Sequence, residues 1–340
     1  MFTRSVMRSP SQISLFALLL LFQFSTSSAA RAQSADEAHI ATRVPVDGVA
    51  PSLGAATRSQ PMRVDVDLVM IPVIATDPMN RPVLSLQRDD FALYEGTSRQ
   101  QIRYFSLEDA PLSIGLVLDC SASMKNKIEY ERQALQEFFA NANSQDEYFA
   151  VAVSDKPRVI ATSADSLGTL QDRLISVPPQ GHTALFDAIY LAVAKLRTAR
   201  YQRRALLIIS DGGDNKSRYT RGEIKKAIEE ADVLTYAIGI FDEEPIPLLK
   251  SIEERMGREW LSELTDASGG RTIAADDRRK IPEIAGVVSR ELRSQYVLGY
   301  RSSNHARDGK WRRVTVKVAQ PAPAMRLNIH YKERYQVPAE

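Results

Sequence analysis

Between Pro111 and Leu292 short apolar runs alternate with helical periodicities, the pattern of successive βαβ units. Residues 114–118 are almost purely apolar, as expected of a strand buried on both faces of a parallel sheet. Residues 149–153, 205–209 and 233–240 read the same way, and 271–273 as a last short strand. Residues 158–161 follow 149–153 across Asp155-Lys156-Pro157, which predicts a hairpin and an antiparallel edge. Ile128, Leu135, Phe138, Phe139 and Ala142 fall on one helical face. Leu167, Leu170 and Leu174 mark a short helix, and 184–196, 223–231 and 284–292 further ones. Residues 248–264 are helical with a break expected near Gly257, and Gly269-Gly270 closes that segment.

The flanks change period. Val64, Val66 and Leu68 alternate with Asp65 and Asp67, and 69–74 continue the apolar run. Asp77-Pro78-Met79-Asn80 and Glu95-Gly96 carry turn chemistry; 83–86, 91–94 and 102–105 are strand-like. Residues 296–300, 311–318 and 325–331 return to β, with Arg312, Arg313 and Lys317 read as exposed strand positions. The two flanks are expected to pair in one sheet. The fold class is therefore α/β: a doubly wound, mostly parallel sheet with a small β module built from N- and C-terminal segments.

Residues 1–32 resemble a secretory signal. Arg4 and Arg8 precede an apolar stretch at 13–24, too short for a membrane span, and Ala30-Arg31-Ala32 offers a cleavage site after Ala32. A soluble, secreted or periplasmic mature chain is expected. Residues 33–60 read as a flexible linker, 61–109 as the N-terminal β module, 110–292 as the α/β domain and 293–340 as the C-terminal β segment. Residues 33–340 hold 41 basic and 42 acidic side chains, so charge balance predicts no nucleic-acid partner. Cys120 is the sole cysteine, which excludes an intramolecular disulfide; strand alternation turns it into the packing as an inert thiol.

The candidate chemistry lies where strands end. After 114–118 the chain becomes polar at once, with Asp119, Ser121 and Ser123 spaced by two. A carboxylate at the end of a central strand is costly unless paired. Carboxylate and hydroxyl oxygens suit a hard divalent cation. The competing reading is that these residues cap the next helix. Thr183 stands just before a helix, where it could cap it or reach a metal, and Asp211 ends a buried strand as Asp119 does. Doubly wound sheets bind ligands at the carboxyl ends of their strands. If the strands are neighbours, Asp119, Ser121, Ser123, Thr183 and Asp211 converge from three loops.

With these residues in view, residues 112–292 resemble a von Willebrand factor A (VWFA) domain. That family carries an Asp-x-Ser-x-Ser motif, a Thr in a second loop and an Asp in a third, forming a metal-ion-dependent adhesion site. Asp119, Ser121, Ser123, Thr183 and Asp211 match all five positions, with Ala122 where relatives often have Gly. The flanks, among them Asp89-Asp90-Phe91 and 294–300, resemble those of VWFA-related proteins described from Acidobacteria. The resemblance implies Mg²⁺ (or Mn²⁺ or Ca²⁺) held by these five residues, with one position open to a partner's Asp or Glu carboxylate. It implies a protein-binding module rather than an enzyme. Asp214 and Asn215 are placed at the rim, Asp214 in a turn role, and His182 as a rim or packing residue. No Ser-His-Asp order, Cys-x-x-Cys spacing, His-Glu-x-x-His helix or Gly-rich phosphate loop appears. The alternative function is a structural or assembly component of the cell envelope in which the metal only stabilises.

Overall fold

A computed structural model describes residues 68–241, 252–275, 277–318 and 326–339. The expected signal segment, the linker and the alternation at Val64 and Val66 lie outside the described residues.

The central sheet has six strands: β5 (Ser113–Asp119), β6 (Glu147–Val153), β7 (Arg158–Thr162), β8 (Arg204–Ser210), β9 (Leu234–Ile240) and β10 (Thr272–Ala275). Their order is β10-β9-β8-β5-β6-β7, and all pair in parallel except β7, the antiparallel edge. Every residue of β5 is buried, as its apolar run requires. Helices α1 (Ile128–Ala140), α2 (Leu167–Ser176) and α6 (Ile281–Arg293) cover one face, where Leu135, Phe138, Leu170, Leu174, Val288 and Leu292 pack on β5 and its neighbours. Helices α3 (Leu185–Arg197), α4 (Arg221–Ala231) and α5 (Ile252–Ser268) cover the other.

α5 runs through Gly257 without the expected break. A Cβ at Gly257 would lie 2.8 Å from the Asp211 carbonyl oxygen and 3.0 Å from the Gly212 carbonyl carbon. The glycine lets the helix approach that loop closely and is not a terminator; Gly212 itself sits at φ 79°.

The flanking strands form two four-stranded sheets rather than the one expected. One has the order β13 (Asn328–Tyr331), β1 (Val69–Thr76), β11 (Gln295–Tyr300), β4 (Ile102–Glu108). The other runs β14 (Arg334–Gln336), β12 (Trp311–Val318), β2 (Phe91–Glu95), β3 (Ser98–Gln100). Ile71, Val73, Leu93, Leu298, Val314 and Val316 share a core with Phe91 and Tyr296, whose rings lie 5.2 Å apart. Residues 83–86 are not a strand. The Tyr296 hydroxyl donates to the Val83 carbonyl (2.8 Å) and accepts from the Leu86 amide (3.1 Å), replacing ladder partners there.

The β module is tied to the α/β domain by polar bridges. Arg271, ahead of β10, donates to Glu291 of α6 and to Asn80 after β1 (2.8 Å), and Tyr236 of β9 donates to Glu291 (2.9 Å). Lys332 donates to the Glu229 carbonyl near the end of α4 (2.9 Å), where the helix dipole favours a cation.

Candidate metal-dependent binding site

β5 and β8 are neighbours, so Asp119 and Asp211 end up side by side at the carboxyl edge of the sheet. This is the switch point: the connection leaving β5 passes through α1 on one face, the one leaving β8 through α4 on the other.

Asp119 is fully buried. One carboxylate oxygen accepts the Ser121 amide (3.0 Å) and the other the Ser210 hydroxyl (2.6 Å). The Ser121 and Ser123 hydroxyls lie 3.0 Å apart, with Ser121 buried and Ser123 exposed. The capping alternative is not seen. Ser121 precedes a 3-10 turn at Ala122–Met124 without capping it by its side chain, and Lys127, not a serine, occupies the position before α1. Thr183 does not cap α3 either, since Ala184 holds that place. The Thr183 hydroxyl has no hydrogen-bond partner among the described residues.

The loops bearing Thr183 and Asp211 are clamped together. Asn215 Oδ1 accepts the Thr183 amide (2.9 Å), and the Thr183 carbonyl accepts the Asn215 and Lys216 amides (3.0 and 3.1 Å). Asp214 accepts the Phe186 amide (2.9 Å) and the Ser217 hydroxyl (2.6 Å). Asp187, buried in the first turn of α3, accepts the Arg218 and Tyr219 amides. Asp211 is half-buried and accepts the Gly213 amide (3.0 Å). His182 is exposed, and its amide donates to Asp155. Ser210 and Asp187 carry no motif signal; their polar side chains at the end of a strand and the start of a helix were the available clue.

Burial, and then the neighbouring Asp211 charge, push the Asp119 carboxyl up to about 6, against the pull of its bonds from Ser210 and Ser121. Beneath it Glu131 of α1 is also fully buried, and neither carboxyl oxygen accepts a side-chain hydrogen bond among the described residues. Burial first and the Asp119 charge second push Glu131 well above the usual carboxylate range. Burial likewise raises the Cys120 thiol, reinforced by Glu131 and Asp119, leaving it unreactive.

No Lys or Arg forms an ion pair with Asp119 or Asp211 among the described residues. Nor do three or more His, Cys, Asp or Glu side chains cluster there as metal ligands. The donor set is instead two carboxylates and three hydroxyls, all hard oxygens, and a bound cation would relieve the repulsion between the two carboxylates. These residues fit Mg²⁺.

Residues 114–213 match the family model described as von Willebrand factor type A domain. It is 26% identical over 144 residues to inter-alpha-trypsin inhibitor heavy chain H4 of Sus scrofa, covering 38% of this chain and 16% of that relative. The chain thus spans a small part of the curated relative that it matches. Among solved structures it is similar to a von Willebrand factor type A protein from Catenulispora acidiphila (13% identity, 75% of each chain, TM-score 0.45). It is also similar to the pilus adhesin SpaC from Lactobacillus rhamnosus GG (9% identity, 73% of this chain and 48% of that one, TM-score 0.46). No helix among the described residues is long and apolar enough to cross a membrane.

Proposed function

We propose that this von Willebrand factor type A domain binds a protein partner through a divalent cation held by Asp119, Ser121, Ser123, Thr183 and Asp211. Domains of this class commonly mediate protein–protein interaction, and that coarse function is the starting point. The observation that carries the finer reading is a buried carboxylate beside a second one at neighbouring strand ends, with hydroxyls beside them and no basic partner among the described residues. When bound, the cation would supply a Lewis-acidic position open to solvent, and an Asp or Glu of the partner would complete its shell. Asp119 and Asp211 balance its charge, Ser121, Ser123 and Thr183 offer neutral oxygens, and Asn215 and Asp214 keep the Thr183 loop in register. We assign the site binding and no chemistry. Export by the N-terminal segment would place this module outside the cytoplasm.

The test is capture of a partner from envelope extract by the full chain, with Mg²⁺ or with chelator. Capture that needs Mg²⁺ and is lost in Asp119→Asn supports the reading. Capture unchanged by both points to the assembly role, in which the β module and helices make the contact.

A further inference from the structure

The outer face of the β14-β12-β2-β3 sheet is the region that the metal site leaves unused. Val314 and Val316 of β12 point into the sandwich, so Trp311, Arg313, Thr315 and Lys317 point out. Register places Arg334 of β14 directly opposite Arg313, Tyr94 of β2 opposite Thr315, and Arg99 of β3 opposite Tyr94. Arg99, Arg313, Lys317 and Arg334 are all exposed. One ion pair touches the set, Arg313 to Glu333 at 3.3 Å, with both side chains more than half exposed. Arg99, Lys317 and Arg334 have no carboxylate partner among the described residues.

Like charges directly opposite one another destabilise a strand pair, and Arg313 with Arg334 is such a pair. The charge is segregated in the sequence too. Residues 301–340 hold nine Lys and Arg against three Asp and Glu, whereas residues 33–300 hold 32 against 39. Three of those nine, Arg313, Lys317 and Arg334, lie on this face together with Arg99, and cations gathered on one face of an otherwise acidic chain are the footprint of a polyanion.

The chemistry narrows the polyanion. Single-stranded nucleic acid binds sheet faces by stacking bases on open aromatic rings. Here Lys317 Nζ lies 5.3 Å from the centre of the Tyr94 ring, and Lys332 Nζ 5.9 Å from that of Trp311. Each ring already carries a lysine. A membrane surface would call for exposed apolar side chains to enter it; Trp311 is the one large apolar residue exposed on this face. What remains is charge at fixed positions: Arg313 and Arg334 face each other on strands about 4.8 Å apart, Lys317 lies about 14 Å along β12 from Arg313, and Arg99 lies two strands, about 10 Å, to the side of β12. Guanidinium forks match carboxylates. We propose that this face binds a linear acidic polysaccharide, its uronate carboxylates pairing with Arg99, Arg313, Lys317 and Arg334 across the strands. A stiff chain with repeated carboxylates meets such an array without the ordering penalty of a flexible acidic peptide.

The test uses the full chain in chelator, which silences the metal site, and alginate oligomers as the probe. Polyglutamate, single-stranded DNA and anionic phospholipid vesicles are run beside them at equal charge. Alginate binding should weaken steeply with salt and fall at least tenfold in Arg313→Thr/Lys317→Thr/Arg334→Thr. The thermal midpoint of that variant should not fall, because the Arg313–Arg334 repulsion is gone. Arg334→Lys should keep most of the binding. Undiminished binding by the triple variant, or tighter binding of any of the other three probes, overturns the proposal. Loss of alginate binding by Asp119→Asn with the sheet intact would also contradict it.

Discussion

Among the fully buried acids, Asp119 and Glu291 differ in what faces them. Glu291 takes two guanidinium bonds from Arg271 and one from the Tyr236 hydroxyl, a closed network that ties α6, β9 and the β module together. Burial, and then the Glu291 charge, holds the Tyr236 hydroxyl far above its ordinary range, so that tyrosine stays a donor. Asp119 has a hydroxyl and an amide, no Lys or Arg partner among the described residues, and a second carboxylate as neighbour. Buried charge that is paired is a structural part; buried charge left unpaired at a strand end is a place made for a ligand.

Breaking the pair should separate these roles most sharply. Glu291→Ala leaves Arg271 and Tyr236 buried without their partner and should cost about 3–5 kcal/mol in denaturant unfolding. Asp119→Asn, measured in chelator at pH 7, should unfold at the same denaturant concentration as wild type or higher. A loss at Asp119 equal to that at Glu291 would erase the distinction.

The next largest effect is expected at Gly257→Ala. The new methyl would strike backbone atoms of Asp211 and Gly212, and overpacking of this kind costs about 1–3 kcal/mol, more than the helix propensity gained. Because Asp211 must shift, Mg²⁺ affinity should fall with stability. Gly222→Ala, in the first turn of α4 with open space around it, should leave Mg²⁺ affinity unchanged in isothermal titration and should not lower stability in denaturant unfolding.

A pH series sharpens the contrast. The folded-state value for Asp119 lies above the ordinary 3.8, so the folded chain holds this proton more tightly than the unfolded chain. Its stabilising contribution is whole below about pH 4 and is lost as pH rises through about 6. In chelator, wild-type stability should therefore decline over that window relative to Asp119→Asn. With saturating Mg²⁺ the decline should be offset, because the cation favours the ionised form. The smallest effect is Ser123→Ala: exposed and, among the described residues, bonded to Ser121 alone, it should change stability by less than about 0.5 kcal/mol while weakening Mg²⁺ binding.

Much of the fold was legible because its strands are buried on both faces, so 114–118 and 205–209 stand out as apolar runs that end in acids. What was not legible depends on tertiary contact. β3 and β14 are three residues each, too short to carry a period, and exist through pairing with β2 and β12. Gly257 resembled a break because local propensity cannot register a neighbouring loop. The two-sheet sandwich differs from a single sheet only in which apolar faces meet, and alternation is the same in both. At the site, the Asp-x-Ser-x-Ser spacing marked the oxygens. The clamp made by Asn215, Asp214 and Asp187 did not show, since its partners are backbone amides about 30 residues away. Glu131 was invisible as a buried acid, because helical periodicity alone does not distinguish it from a surface one.

The central claim is best tested by thermal unfolding of the full chain and of Asp119→Asn, each in chelator and in millimolar Mg²⁺ at pH 7. The account predicts that Mg²⁺ raises the wild-type midpoint, as a ligand of the folded state must, and leaves the variant's unchanged. Equal shifts in both proteins, or none in wild type, would contradict it.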